Sequence, residues 1–252
     1  SNIQLDTAEV VRRNAEKGKI KWHMLPPPGD INSSTLCFNF VSPDPFKSKL
    51  LNDKRFRIAM SLQMPRDTIN EVVYNGLTSP KQIGVSIPDH PWYNEALATA
   101  YLEYDLDEAN RLLDEIGLTE RDEEGFRLGP DGKRIIFALQ TVGHPEWSVI
   151  CEIISEEISR VGLQANLRVV GWDGVADTIR EARWDMFLLQ NPMGYPKLWP
   201  SYMENVRPSA VNSYVWMEWL ESGGAKGEEP PPFMKECWDW WQRARSSSNH
   251  DE

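Results

Sequence analysis

The chain has 252 residues, with 27 Lys or Arg against 38 Asp or Glu, a formal net charge of −11, 40% apolar residues and a mean hydropathy of −0.51. That much apolar material excludes a long disordered chain, no compositional period suggests a fibrous or low-complexity protein, and the acidic balance opposes a phosphate backbone, so nucleic acid is not expected as a partner. Eleven residues are Trp, and a chain of this length buries about 70–75% of its unfolded surface, enough for one large core or two smaller ones.

In chain order, 6–17 read as a helix with Asp6 or Thr7 as N-cap and Gly18 as stop. Ile20, Trp22 and Met24 alternate with Lys19, Lys21 and His23 as a half-buried strand, and a Pro26-Pro27-Pro28-Gly29 turn follows. A strand is predicted over 35–41, interrupted by one polar side chain, Asn39. Phe56, Ile58, Ala59, Met60 and Leu62 suggest a short helix broken by Pro65, and a second helix runs over 66–75 to Gly76. Three prolines and one glycine in 77–104 predict irregular chain. Asp105 then caps a helix over 106–116, and 126–128 with 135–140 read as a hairpin.

The next stretch is the most regular. Pro145 opens a helix carrying Val149, Ile150, Ile153, Ile154, Ile158 and Val161 on one face, and Gly162 ends it. Leu163, Ala165, Leu167 and Val169 alternate as a strand; 175–182 are helical; 184–189 form a nearly continuous apolar strand. Strands joined by short loops and helical crossovers become parallel neighbours, so the fold class is α/β. In such sheets ligands bind beyond the carboxyl ends of the strands. Those ends are 140–144, 171–173 and 190–195, which offer amides and aromatics and few fixed charges. Such groups hold a neutral or zwitterionic solute by hydrogen bonds and stacking.

The same rule selects candidate ligand contacts. Trp172, Tyr195 and Trp199 can stack on a solute, or serve a hinge or core. Gln190 and Asn191 can bond a solute or their own loop, and Asn39 either faces the cleft or caps a bend. Trp216, Trp219, Trp238, Trp240 and Trp241 lie on expected helices and read as packing residues rather than ligand contacts.

Catalytic and metal patterns are not found. His23, His90, His144 and His250 are scattered, and no phosphate-binding glycine loop or Gly-x-Ser-x-Gly elbow occurs. Neither a metal nor a cofactor is expected, and Glu156-Glu157 reads as a solvated pair. A hydrolase would need a carboxylate pair at the strand ends, where only Asp173 is available. Cys37, Cys151 and Cys237 form no CxxC pair and read as small buried apolar residues. No apolar run reaches the roughly 18 residues that span a bilayer.

Several segments together resemble the oligopeptide-type solute-binding proteins of ABC importers, solute-binding family 5. The run Asp53-Lys54-Arg55-Phe56-Arg57-Ile58-Ala59-Met60-Ser61-Leu62, continuing through Arg66-Asp67-Thr68-Ile69-Asn70 to Gly76, is the most specific. Tyr104-Asp105 with Ala109-Asn110 and Leu112-Leu113-Asp114 is similar to a second family segment. Pro130-Asp131-Gly132 and the late Ser222-Gly223-Gly224, Gly227-Glu228-Glu229-Pro230-Pro231 complete the set. The resemblance implies a periplasmic-binding-protein-like (type II) lobe with a mixed, mainly parallel sheet flanked by helices. It implies that 1–252 are the C-terminal lobe of a two-lobe receptor; from the residues themselves, 1–2 read as a tag remnant and 245–252 as a disordered tail. On that reading the protein is not an enzyme. It would be a monomeric, periplasmic or extracellular receptor, membrane-anchored at full length, that captures an oligopeptide and passes it to an ABC permease. Peptide-binding members carry an Asp after the strand equivalent to 184–189 that grips the peptide amine; here no acid precedes Glu204. That departure leaves an oligosaccharide as the alternative ligand.

Overall fold

The computed structural model describes residues 13–15, 17–19, 30–82, 93–193 and 213–246. The strand expected over 20–24 and most of the helix expected over 6–17 lie outside them. Strand β1 (Asp30–Phe38) leads into three consecutive helices, α1 (Pro45–Asn52), α2 (Lys54–Leu62) and α3 (Arg66–Tyr74). Their boundaries follow from local chemistry. The Asp44 carboxylate accepts from Phe46 N (2.9 Å) and Lys47 N (3.2 Å), which caps α1. Asp53 does the same for α2 through Arg55 N (2.8 Å). Pro65 separates α2 from α3, as its ring predicts; Asn75 is the C-cap of α3 in the left-handed region (φ 53°), and Gly76 (φ 71°) follows at the expected position just past the helix.

Helix α1 was not expected from the sequence, and neither was the single turn α4 (Glu95–Ala98). Helix α5 (Leu106–Glu115) starts at Asp105, whose side chain accepts from Glu108 N at 2.9 Å. The predicted hairpin reduces to two isolated bridges, Arg121 to Arg127 and Leu128 to Arg134. The chain then enters β2 (Ile136–Val142), α6 (Pro145–Arg160), β3 (Gln164–Val170), α7 (Trp172–Arg180) and β4 (Met186–Met193). Two further helices close the described chain, α8 (Tyr214–Glu221) and α9 (Pro232–Ser246).

The four strands form one mixed sheet in the order β1-β4-β2-β3. β2 is parallel to β3, with Leu139 opposite Leu167, and parallel to β4, with Leu139 opposite Met186. β1 adds to the outer edge of β4 in antiparallel sense, with Phe38 opposite Met186 and Asn32 opposite Asn191. This pairing carries β4 four residues past its expected end. A strand's length is set by its partner as well as by its own apolar run.

The core lies between the sheet and the helices. On α6, Trp147, Ile150, Cys151, Ile154 and Ile158 all point inward at i, i+3, i+4 spacing. Phe56 of α2 meets Phe137 of β2 with ring centroids 5.4 Å apart, and both are fully buried. Arg127 is the largest fully buried side chain. Its Nε donates to Val161 O (2.8 Å), its Nη2 to Asn110 Oδ1 (2.8 Å), and its Nη1 to Leu118 O and Asp114. One guanidinium thereby joins the end of α5, the hairpin and the end of α6. Glu157, expected as solvated, is only 7% exposed. It accepts from the Tyr104 hydroxyl and lies 3.4 Å from Arg160 Nε, which compensates its burial. Among the C-terminal Trp residues, Trp216, Trp238 and Trp241 are buried, whereas Trp240 is exposed.

Candidate functional site

The parallel arrangement brings the carboxyl ends of β2 and β3 side by side, with Val142 opposite Val170. At each end the chain turns directly into a helix. His144 is the N-cap of α6 and Gly171 the N-cap of α7, and neither helix start is capped by a side chain. Helix α7 begins at Trp172, three residues earlier than the expected 175. Trp172 therefore sits in a helical first turn rather than in a free loop.

Three aromatic rings line this corner. The His144 ring lies 5.0 Å from that of Trp147 at an interplanar angle of 31°, and Trp147 lies 6.2 Å from Trp172 at 60°. Trp147 is buried, while Trp172 is 63% exposed. The corner thus presents an exposed indole next to a buried one. The His144 Nδ1 atom is shielded from solvent without a hydrogen-bond partner, 3.9 Å from Glu146 Oε2. Asp173 adds a second carboxylate in the first turn of α7. Favourable placement of acids at helix starts follows from the orphan N–H groups there.

The other expected contacts separate into three cases. Gln190 and Asn191 lie within β4 rather than in the loop after it, and Asn191 is paired in register with Asn32. Tyr195 and Trp199 lie outside the described residues. Asn39 is placed at the opposite end of the sheet, because β1 runs antiparallel and its end meets the start of β4. There Asn39 is 1% exposed, donates from Nδ2 to Trp184 O (2.9 Å) and Ala182 O (3.2 Å), and accepts from Val41 N (3.1 Å). Its amide is used by the fold, and of the two roles read from sequence it fills the capping one. Asp185 beside it is likewise structural, accepting from Lys47 Nζ (2.8 Å) and Ala138 N (2.7 Å).

Trp147 and His144 were not singled out as site residues from the sequence. The available signal was the spacing His144-Pro145-Glu146-Trp147, which puts an aromatic side chain in the first turn after a strand end. An open cavity of about 340 Å³ lies away from this corner, between α1 and the turn at Gly129 and Asp131. Its cations are already engaged: Lys47 by Asp185, Lys133 by Asp131 at 3.7 Å, and Arg134 by Asp122 and Glu124. Among the described residues no group of three His, Cys, Asp or Glu side chains is arranged to hold a metal ion. Cys151 is fully buried, and burial pushes its thiol up to about 12, so it stays protonated and unreactive at neutral pH.

Residues 2–213 match the family model described as bacterial extracellular solute-binding proteins, family 5, middle region. The chain belongs to this family. The family-5 chain is 24% identical over 212 residues to the "Probable ABC transporter-binding protein" of Deinococcus radiodurans, covering 79% of this chain and 35% of that protein. Among solved structures, it superposes on oligopeptide-binding protein OppA with a TM-score of 0.77 at 23% identity, covering 97% of this chain and 41% of OppA. It also superposes on the periplasmic binding protein MelB from Agrobacterium fabrum C58, solved in complex with stachyose, with a TM-score of 0.68 at 17% identity. That overlap covers 99% of this chain and 38% of MelB. The fold is thus a periplasmic-binding-protein fold of type II, with a mixed sheet flanked by helices. The family-5 chain spans about a third to two fifths of the length of these relatives.

Proposed function

We propose that this chain is the C-terminal lobe of a two-lobe receptor, the substrate-binding component of an ABC importer that captures an oligopeptide or an oligosaccharide for a membrane permease. The family match over residues 2–213 carries this reading. The exposed Trp172 at adjacent strand ends supplies a surface suited to it. Among relatives, OppA is named for oligopeptides and MelB was solved with stachyose. The receptor acts in the periplasm or outside the cell, tethered to the membrane in its full-length form, as a monomer that binds without catalysis. No helix among the described residues is long and apolar enough to cross a membrane.

One lobe offers half of a cleft, so affinity for the isolated chain is weak, and closure of the second lobe supplies the rest of the burial. Thermal unfolding of the 252-residue chain with penta-alanine or stachyose at about ten times the dissociation constant should stabilise it by about 1.4 kcal/mol. For a chain of this size that raises Tm by roughly 3–6 °C. No shift with either solute up to tens of millimolar refutes solute binding by this lobe.

A further inference from the structure

Strand β4 changes character along its length. Up to Leu188 it is a central strand, with β2 on one side and β1 on the other. Its pairing with β2 stops at Thr141 opposite Leu188, and β2 itself ends at Val142. Its pairing with β1 runs on, with Asn32 opposite Asn191, Ile31 opposite Pro192 and Asp30 opposite Met193. Among the described residues, these last pairs form a two-stranded ribbon that projects past β2 at the same end of the sheet as Trp172. Pro192 suits such a place, because proline brings no N–H and is found at strand edges rather than in central strands. A two-stranded ribbon is marginal by itself in water, so its angle depends on what pins it.

The junction between ribbon and sheet is a β-bulge. Between Asn32 opposite Asn191 and Thr35 opposite Leu189, β1 has two residues, Ser33 and Ser34, where β4 has one, Gln190. Such a bulge bends its strand and leaves one residue outside the ladder, so the pairs on its two sides can turn relative to each other. A side-chain contact holds it: the Tyr74 hydroxyl donates to Ser34 Oγ at 3.1 Å. Tyr74 is the last residue of α3 and is 5% exposed, and α3 lies against α6, so the bond ties the bulge to the packed helical layer. Resting on the solute-binding reading, we infer that the ribbon of 30–32 and 191–193 is a movable wall of the solute face, pivoting at Ser33 and Ser34 and latched by the Tyr74–Ser34 bond. This is motion within the lobe, separate from closure of one lobe on another. On the sheet side of the bulge, Leu36 opposite Leu188 and Phe38 opposite Met186 are packed into the core. On the ribbon side the pairs have their ladder and the latch. Breaking the latch therefore frees the ribbon without loosening the sheet.

The test is amide hydrogen exchange of the free 252-residue chain, read residue by residue by NMR. Tyr74→Phe keeps the buried ring and removes the hydroxyl, and Ser34→Ala removes the acceptor. Each should speed exchange of the protected amides among 30–32, 191 and 193 by about three- to tenfold. Amides of 36–38 and 186–188 should keep their wild-type rates. The double variant should go no further than Tyr74→Phe alone, because both changes break the same bond. Unchanged ribbon rates in both single variants would show that there is no latch. Equal acceleration in ribbon and sheet would show that the bond serves global stability and that nothing pivots. With stachyose or penta-alanine at tens of millimolar, the wild-type ribbon amides should slow. Protection elsewhere on the chain but not in the ribbon leaves solute binding standing and overturns the wall. Protection nowhere overturns the wall together with the solute-binding reading, while the free-chain rates still decide the pivot.

Discussion

Arg127 is where sequence and structure make the sharpest energetic prediction. Its guanidinium is fully buried, and burial holds its pKa below the ordinary arginine value despite the neighbouring Asp114. Replacing it by Met keeps most of the apolar stem but removes the donors to Val161 O, Leu118 O and Asn110. Two buried backbone carbonyls left unpaired cost about 1–3 kcal/mol each. Relief from burying a charge recovers part of this, so Arg127→Met should lose about 3–4 kcal/mol. The ion pair contributes much less, because Asp114 is 53% exposed and solvent screens it. Asp114→Asn should therefore lose less than about 1 kcal/mol. Urea and thermal denaturation followed by far-ultraviolet circular dichroism measure both, and Tm should fall by roughly 6–16 °C for Arg127→Met and by only a few degrees for Asp114→Asn. Equal losses in the two variants would show that the carboxylate, not the three-way carbonyl contact, holds this corner, and the reasoning would be wrong.

Gly162 ends α6 at φ +78°, and a methyl group there would lie 2.1 Å from Arg121 Nη1 and 2.8 Å from Gly125 O. The arginine tip can move but the Gly125 carbonyl is backbone, so Gly162→Ala should cost about 2–4 kcal/mol, strain included; a urea midpoint unchanged within error would contradict this. Asp53 is held below its ordinary value of 3.8, first by its bond to Arg55. A carboxylate with a depressed folded pKa stabilises the fold above about pH 4 and loses that contribution as pH falls through the folded value. Asp53→Asn should thus show a shallower loss of stability between about pH 4 and 2 in acid titration. Near neutral pH it should change little, since Asn also caps helices; an identical acid slope would exclude the pairing as the cause.

The parts of the fold legible in the sequence were those set by local chemistry. Asp105, Pro145 and Gly162 mark helix limits through capping, ring geometry and left-handed backbone, and each lies where it was expected. The alternation from β2 to β4 foretold parallel neighbours, and the register confirms them. What could not be read were features set by partners far along the chain. Helix α1 separates its apolar and polar residues only weakly into two faces, and only its Asp44 cap and Leu50-Leu51 pair mark it. Glu157 looked solvated because neither Tyr104 nor its distance in space is visible from 53 residues away.

The candidate site shows the same division within a few residues. Locating it needed only the rule that parallel strands present their carboxyl ends to a ligand, and Trp172 lies at such an end. Choosing its other members needed the direction of β1, which no local pattern reveals. Had β1 been parallel, Asn39 would have stood at the same end of the sheet as Trp172, with β4 and β2 between them; because it is antiparallel, Asn39 closes the far end of the sheet on Trp184 O. The same antiparallel partner extends β4 through Met193, so Gln190 and Asn191 belong to the sheet. In their place the structure brings in Trp147, whose position follows from packing on α6. A residue selected for the core thereby becomes the support of the exposed indole, and the stacking face is a consequence of how α6 is buried against β2 and β3.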